Sequence, residues 1–212
     1  MLDRRAKLIV WGFLLGVIVA EGWAILASFH AKADLFIALL HYTFSPAGTP
    51  IAWASAALLV IGYTAFSASG SAVVRDHLLR PATWRPYAAI CLVAVPMALI
   101  SGFFEEAFFR KALMDWAMHH GQTVEMQIAV SALAFGAVHA IWGVAGGNLR
   151  AAFNAMLVTG ALGGLLGIIY IAGGRSVAPC VAAHMAINLL LEPWLIVTAV
   201  TNGWRRTPPV AA

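Results

Sequence analysis

Charged residues are scarce in this sequence. Asp, Glu, Lys and Arg make up 10% of the 212 residues, whereas hydrophobic residues make up 62%. A soluble domain carries roughly 25% charged residues, so this composition excludes an ordinary soluble domain and predicts an all-α, polytopic membrane protein. The net charge of +4 is small. No basic stripe interleaved with aromatic residues is present, and we therefore expect a lipid bilayer as partner and no nucleic acid.

Cysteine and the common hydrolase motifs are also scarce or missing. Cys91 and Cys180 are the only cysteines. Each lies within an apolar run, so neither a disulfide nor a thiolate metal site is expected. The sequence contains no H-E-x-x-H and no G-x-S-x-G around any serine, which argues against a zincin and against a serine hydrolase. We expect no metal and no cofactor.

Six apolar segments are candidates for membrane-spanning helices. They cover residues 8 to 29, 51 to 69, 87 to 118, 126 to 142, 152 to 172 and 177 to 200. Glu21 in the first segment is interpreted as a carboxylate near the membrane interface. The third segment exceeds one perpendicular span, so it must tilt, project from the bilayer or turn back near Gly102. The distribution of positive residues predicts that both termini are cytoplasmic.

The polar residues between the second and third segments suggest a domain division. Arg75 to Pro86 is interpreted as a polar linker. Residues 1–85 would then form an N-terminal helix pair with this linker, 86–204 a core whose four helices carry the polar motifs, and 205–212 a tail. The G-x-x-x-G spacing at Gly160 and Gly164 favours close helix contact, either within one molecule or between two copies in a homodimer.

The chemically informative stretch is SGFFEEAFFR, residues 101 to 110. A carboxylate at bilayer depth costs about 2.5 kcal/mol or more on insertion scales, so an ionisable cluster there indicates function. On a helix, Glu106 and Arg110 lie on one face and can pair, whereas Glu105 points roughly 100° away. Glu105 is therefore predicted to be free for chemistry. The alternative is a purely structural buried ion pair.

Two histidines, like this cluster, lie within apolar segments. His139 lies four residues after Phe135, and His184 lies four residues before Asn188, so each pair falls on one helical face. A carboxylate and a neutral imidazole can together take a proton from water. A second imidazole and a carboxamide can donate hydrogen bonds to a developing oxyanion. Each histidine alone would more often be a packing residue, but together with Glu105 they form a set.

These patterns resemble the CPBP or Abi family of membrane proteases, which includes the type II CAAX prenyl endopeptidases. The resemblance rests on E-E-x-x-x-R at Glu105, Glu106 and Arg110, on F-x-x-x-H at Phe135 and His139, and on H-x-x-x-N at His184 and Asn188. It implies an intramembrane glutamate protease in which Glu105 and His139 activate water. The residues His184 and Asn188 would then form the oxyanion site.

We also expect supporting roles and a substrate class. Glu106 and Arg110 would brace the helix that carries Glu105, and Phe135 would pack against the site. The substrate would be a peptide or protein with a membrane-associated or lipidated segment, and the protein would be a multi-pass component of a bacterial inner membrane. Lys111 follows the motif arginine where the family usually has glycine, so we expect the helix to continue there.

Three other interpretations stay open at this point. A metal hydrolase could use Glu105, His139 and His184 as zinc ligands. A non-enzymatic scaffold or immunity protein could bind a peptide in the same cavity without cutting it. A transporter with a proton relay fits less well, because the polar residues cluster in one place and no inverted repeat is visible.

Overall fold

The secondary structure is helical throughout the part of the chain that the computed structural model describes. That part comprises residues 46–80, 88–145 and 148–200, with isolated positions at 15, 19, 22, 23, 26, 37 and 41. No β-strand occurs in these ranges. The prediction of an all-α protein is confirmed for them. Glu21, most of the first predicted span and the C-terminal tail lie outside the described residues.

Four of the described helices begin at a polar side chain that caps them. In chain order they are α1 (Pro50–Gly70), α2 (Ala72–Leu79), α3 (Ala88–Glu106), a π-helical segment (Ala107–Met114), α4 (Asp115–His119), α5 (Val124–His139), α6 (Ile141–Ala145), α7 (Leu149–Ala172) and α8 (Ala178–Val200). Thr49, Ser71, Thr123 and Asn148 precede α1, α2, α5 and α7, and each side chain accepts a hydrogen bond from the N–H three residues further on. These caps satisfy backbone donors that have no partner inside the helix.

The helix that carries the two adjacent glutamates is continuous. Helical structure runs from α3 through the π-helical segment into α4, so the chain does not turn back at Gly102. It also continues past Lys111, where the hydrogen bonds shift to the wider i→i+5 pattern. Glu105 therefore lies in the middle of a long helical stretch, where side chains of the helices that follow can contact it.

Four helices surround the acidic cluster in two pairs. Helix α3 packs along α8, and α5 packs along α7. The π-helical segment joins the two pairs because it contacts α5 and α7 as well as α3. Among the described residues, α3 and α5 make almost no direct backbone contact. We refer to the space between the helix with Glu105 and the helix with His139 as the cleft.

Glycine spacing brings α5 and α7 together inside one molecule. A Cβ at Gly136 would clash with the carbonyl oxygen of Met156, and a Cβ at Gly160 would lie 3.3 Å from that of Ala132. Only glycine allows the two backbones to approach so closely at Gly136. The G-x-x-x-G spacing thus serves an intramolecular contact, and a homodimer stays a prediction.

Part of the predicted polar linker is a helix. Helix α2 covers residues 72–79, and its Val74 and His77 are buried. The His77 ring stacks on Trp194 of α8 with a centroid separation of 4.2 Å. Val74 and His77 therefore give the first part of the predicted linker a helical, buried face that packs on α8, and the linker itself stays a prediction. Trp194 is accordingly a packing residue of the interior.

Helix α1 shares its interior with the site-bearing helices. Ala52 and Ala56 are buried against α7 and α8 in one hydrophobic cluster. The loop before α1 is also tied to the turn between α7 and α8, since the hydroxyl of Thr49 donates to the carbonyl of Ala172 at 2.9 Å. These contacts fix α1 beside the core helices. The domain division at residue 85 stays a prediction.

The outward surface of the bundle is apolar. Leu58 and Ile61 on α1, Leu133 on α5 and Ile168 on α7 are each more than half exposed. An exposed apolar surface of this kind suits lipid rather than water. Helices α1 and α7 are long and apolar enough to cross a membrane, and α5 is a shorter apolar helix. These features indicate a membrane protein, and the arrangement of six spans stays a prediction.

Candidate active site

The close approach of α3 and α8 places the glutamates against His184. A Cβ at Gly102 would lie 2.8 Å from Cγ of Met185 and 3.2 Å from its backbone nitrogen. Any larger residue at Gly102 would push α8 away from α3. Glycine at this position therefore sets the distance across which Glu105 and Glu106 reach the imidazole of His184.

Glu105 faces two imidazoles across the cleft. Its Oε2 lies 3.7 Å from Nε2 of His139 and 4.0 Å from Nε2 of His184. These separations exceed a direct hydrogen bond, for which about 2.7–3.2 Å is typical. The same Oε2 is buried and has no hydrogen-bond partner among the described residues. The Glu105 and His139 side chains are 27% and 20% exposed, so the cleft is accessible on their side.

The backbone of α5 fixes the tautomer that a neutral His139 ring adopts. Its Nδ1 lies 2.8 Å from the carbonyl oxygen of Phe135. Because a carbonyl only accepts, Nδ1 must carry the proton in this contact. In the neutral ring, Nε2 then presents its lone pair to the cleft and toward Glu105. His139 is therefore oriented as a proton acceptor.

Glu106 has two buried partners. Its Oε2 lies 3.1 Å from Nε of Arg110 and its Oε1 lies 2.8 Å from Nδ1 of His184. The three side chains are 0%, 0% and 2% exposed. The spacing of four residues predicted the contact with Arg110. The contact with His184 was missed, because it depends on how α3 and α8 are aligned and no local pattern reveals it.

Arg110 is held by a backbone carbonyl and an aromatic ring as well as by Glu106. Its Nη2 donates to the carbonyl oxygen of Gly163 on α7 at 3.1 Å. Its guanidinium lies 4.6 Å from the centroid of the Phe135 ring, a cation–π geometry that stabilises a desolvated cation. Arg110 thus ties the helix of Glu106 to both α5 and α7.

Phe135 lies at the centre of the candidate site. It is fully buried, and its ring centroid lies 4.5 Å from that of His139 and 5.6 Å from that of His184. A Cβ at Gly163 would lie 3.1 Å from Cβ of Phe135, so the glycine makes room for this ring. The structure therefore places Phe135 in contact with Arg110 and both histidines.

Asn188 lies one turn after His184 on α8 and faces a serine. Its Nδ2 donates to the hydroxyl of Ser101 on α3 at 3.4 Å. Ser101 is buried at 7% exposure and lies one turn before Glu105. Ser101 was missed as a site neighbour. The only available signal was its position four residues before Glu105 in an otherwise apolar helix.

The π-helical segment is supported by a second buried serine. The hydroxyl of Ser131 on α5 donates to the carbonyl oxygen of Phe109 at 3.0 Å, and Ser131 is fully buried. A backbone carbonyl has two lone pairs, so it can accept from a side chain as well as from its own helix. Ser131 thus ties α5 to the π-helical segment.

A second polar cluster lies beyond this segment, away from the cleft. Asp115 accepts hydrogen bonds at 2.7 Å from the hydroxyl of Tyr170 and from Nε of Arg175, while Nη1 of Arg175 donates to Gln127 at 3.1 Å. Arg175 adopts a left-handed backbone conformation with φ of 64° in the turn before α8. The cluster ties α4, α5 and α7 to the turn that leads into the helix of His184.

The candidate zinc ligands do not form a recognisable metal site. Among the described residues, no group of three or more His, Cys, Asp or Glu side chains is arranged to hold a metal ion. Cys180 is buried and unpaired, and its thiol donates to the carbonyl of Leu166 at 3.3 Å. The absence of a metal stays a prediction.

Fold and cleft together define an all-helical membrane protein in which paired glutamates face two histidines. Residues 87–190 match the family model described as type II CAAX prenyl endopeptidase Rce1-like, and this match supports assignment to the CPBP/CAAX protease family. All seven predicted site residues lie within the matched segment. No curated protein and no solved structure matches the chain significantly. The family supports a protease of the CAAX type.

Proposed function

We propose that this protein is an intramembrane endopeptidase that hydrolyses a peptide bond with water activated between Glu105 and His139. The carrying observation is the buried Oε2 of Glu105, which has no hydrogen-bond partner among the described residues and faces Nε2 of His139 at 3.7 Å. A water molecule donates hydrogen bonds at about 2.8 Å. Placed beside the line that joins Oε2 of Glu105 and Nε2 of His139, one water can donate to both atoms.

Two acceptors leave the water with a defined attacking direction. Both hydrogens point to Glu105 and His139, so an oxygen lone pair is free to attack the carbonyl carbon of the substrate. As the carbon–oxygen bond forms, Glu105 takes one proton. It then gives this proton to the amide nitrogen as the carbon–nitrogen bond breaks, which restores the carboxylate and releases an acid and an amine.

The oxyanion would be stabilised from α8. The Glu106 carboxylate accepts a hydrogen bond from Nδ1 of His184, so Nε2 can donate to an oxyanion only if the ring is an imidazolium. This state balances the charges: the two glutamates carry two negative charges, and Arg110 and His184 carry two positive ones. Balanced, paired charges are the condition under which burial is tolerated. Asn188 adds a second, neutral donor one turn away.

The substrate in this proposal is a peptide or protein with a membrane-associated or lipidated segment. The family match supports a CAAX-type substrate, and the apolar outer surface supports approach through lipid. A suitable probe is an internally quenched peptide that ends in a prenylated CAAX sequence, presented to the purified protein in detergent micelles.

The test compares acids and histidines on the cleft with an acid outside it. Glu105→Gln and His139→Ala should each lower kcat/KM for the prenylated probe by about 10²–10⁴, because each removes a proton acceptor. Glu125→Gln is the matched control, since Glu125 is an exposed acid at the start of α5. It should leave turnover unchanged. Retained activity in a folded Glu105→Gln or His139→Ala variant would contradict the mechanism.

A second arm addresses the substrate. Membrane proteomes of cells that produce the wild-type protein and the Glu105→Gln variant should differ in uncut peptides that accumulate with the variant. If the prenylated probe is not cut and no peptide accumulates, the protein does not act as a protease and a peptide-binding role takes its place.

A further inference from the structure

The residues of α3 and α8 oppose one another in an antiparallel register. Glu105 faces His184, and one turn along, Ser101 faces Asn188. The two contacts are therefore successive steps of one interface. The step with Glu105 belongs to the proposed chemistry, whereas Ser101 takes no part in the proton transfers.

The contact with Ser101 uses only one of the two N–H groups of the Asn188 carboxamide. A carboxamide nitrogen carries two N–H groups, and one of them donates to the hydroxyl of Ser101 at 3.4 Å. No described residue accepts a hydrogen bond from the other N–H, which is therefore available to a ligand in the cleft. Ser101 is buried and its side chain is short, so its hydroxyl is a fixed reference point for the amide.

We infer that Ser101 is a positioning residue, which holds the carboxamide of Asn188 so that its second N–H can reach the oxyanion. This inference rests on the proposed function. A donor aimed at charge that exists only in the transition state accelerates the reaction, whereas a freely rotating donor must first be ordered. Ser101 touches neither the substrate nor the reacting water and acts only through Asn188.

The kinetic consequence is a loss in kcat with little change in KM. The hydrogen bond is long, so Ser101→Ala should lower kcat for the prenylated probe only about threefold to tenfold, whereas Asn188→Ala should lower it about 10²–10³-fold. Ser101→Thr keeps a hydroxyl at the same carbon and should recover at least about half of the lost rate constant.

Coupling to Asn188 distinguishes positioning from a general structural role. In the Asn188→Ala background, Ser101→Ala should have no further effect on kcat, because there is no amide left to orient. Ser131→Ala is the matched control: it also removes a buried serine hydroxyl, but one bonded to the carbonyl of Phe109 on the other side of the core. Its effects should simply add to those of Asn188→Ala.

Thermal unfolding in detergent provides a readout that needs no substrate. Ser101→Ala and Asn188→Ala should each lower the Tm, and the double variant should lower it no further than the larger single change. Additive Tm shifts or additive losses in kcat for Ser101 and Asn188 would overturn the inference, as would a normal kcat in Ser101→Ala. If Glu105→Gln and Asn188→Ala themselves remain active, the proposed function has failed instead. If the Tm shifts of Ser101→Ala and Asn188→Ala are not additive but the protein cleaves no substrate, the contact between the two residues exists and has no role in catalysis.

Discussion

Glu106 links the buried guanidinium of Arg110 to the imidazole of His184 in the candidate site. It contacts Arg110 through one oxygen and His184 through the other, and all three side chains are buried. The carboxylate therefore has two consequences at once: it neutralises a buried guanidinium and it orients an imidazole that faces Glu105.

Glu106→Gln should destabilise the protein as well as inactivate it. Glutamine keeps the volume but removes the charge, so it strands Arg110, at a cost of about 3–5 kcal/mol in unfolding free energy. The measurement is thermal unfolding beside turnover of the prenylated probe. Glu105→Gln is the matched variant, because Glu105 is partly exposed and has no arginine partner, so it should lose turnover with a much smaller loss in Tm than Glu106→Gln. Equal, normal Tm values in both variants would show that the two glutamates are wrongly assigned.

Sequence reasoning found the ionisable residues but only some of their contacts. The contact of Glu106 with Arg110 follows from a spacing of four residues on one helix. The contacts of Glu106 with His184 and of Ser101 with Asn188 join residues 78 and 87 positions apart. They depend on the register between α3 and α8, which is decided by the fit around Gly102 and has no local sequence signal.

Glycines at helix contacts decide how the elements of this fold approach one another. Gly136 on α5 lies against the backbone of α7, whereas Gly62 on α1 has open space around it. The same residue type is thus a packing requirement at one position and a helix-weakening residue at the other.

Gly136→Ala and Gly62→Ala should shift the Tm in opposite directions. A methyl group at Gly136 would clash with the carbonyl oxygen of Met156, so α5 and α7 must separate, with a loss of about 1–3 kcal/mol or more. At Gly62 alanine improves helix propensity by up to about 1 kcal/mol. Thermal unfolding of both variants tests this. A stabilised Gly136→Ala protein would contradict the packing of these helices.

The turn before α8 combines an ion pair with a strained backbone. Arg175 bonds Asp115 and Gln127 while holding φ at 64°. Glycine adopts this conformation without strain, whereas alanine does not. The two substitutions therefore separate the side-chain contacts from the backbone strain.

Arg175→Gly should be less damaging than Arg175→Ala. Both lose the charged hydrogen bonds, which contribute about 1.5–3 kcal/mol, but only alanine retains an unfavourable backbone. We expect the highest Tm for the wild type, a lower one for Arg175→Gly and the lowest for Arg175→Ala. The reverse order of the two variants would show that this turn is not held in a left-handed conformation.

The helices themselves were largely predictable, because apolar runs bounded by Gly, Pro and capping residues define their lengths. The segments predicted at 51 to 69 and 177 to 200 correspond to α1 and α8 within one residue at each described end. The π-helical segment was not predictable, since Ala107–Met114 has an ordinary helical composition. The break after His139 was also missed, because residues 140 to 145 continue the apolar pattern.

At the scale of the whole molecule, the outer surface and the cleft differ in character. The exterior presents large aliphatic side chains, while polar groups gather between two helix pairs. Six spans, cytoplasmic termini and a bacterial inner membrane stay predictions, because they depend on segments beyond the described helices and on the cell.

The purified protein should be active without a metal ion. Glu105 and His139 provide proton acceptors, and His184 and Asn188 provide donors, so the proposed reaction needs no Lewis acid. Chelation should leave turnover of the prenylated probe unchanged, and elemental analysis of active protein should find no stoichiometric metal. A zinc ion that disappears in His139→Ala or His184→Ala, with activity restored by added zinc, would make the protein a metal hydrolase.

The paired charges around Glu106 also have an electrical consequence. A net charge that moves within a membrane performs work of about 2.3 kcal/mol per 100 mV across the full thickness. In the proposed protonation state, Glu105, Glu106, Arg110 and His184 sum to zero charge, and the proton that leaves water returns to the amide nitrogen within the same cleft. Neither the resting site nor the complete cycle carries net charge along the field, so the rate of cleavage should be insensitive to the membrane voltage of the host cell.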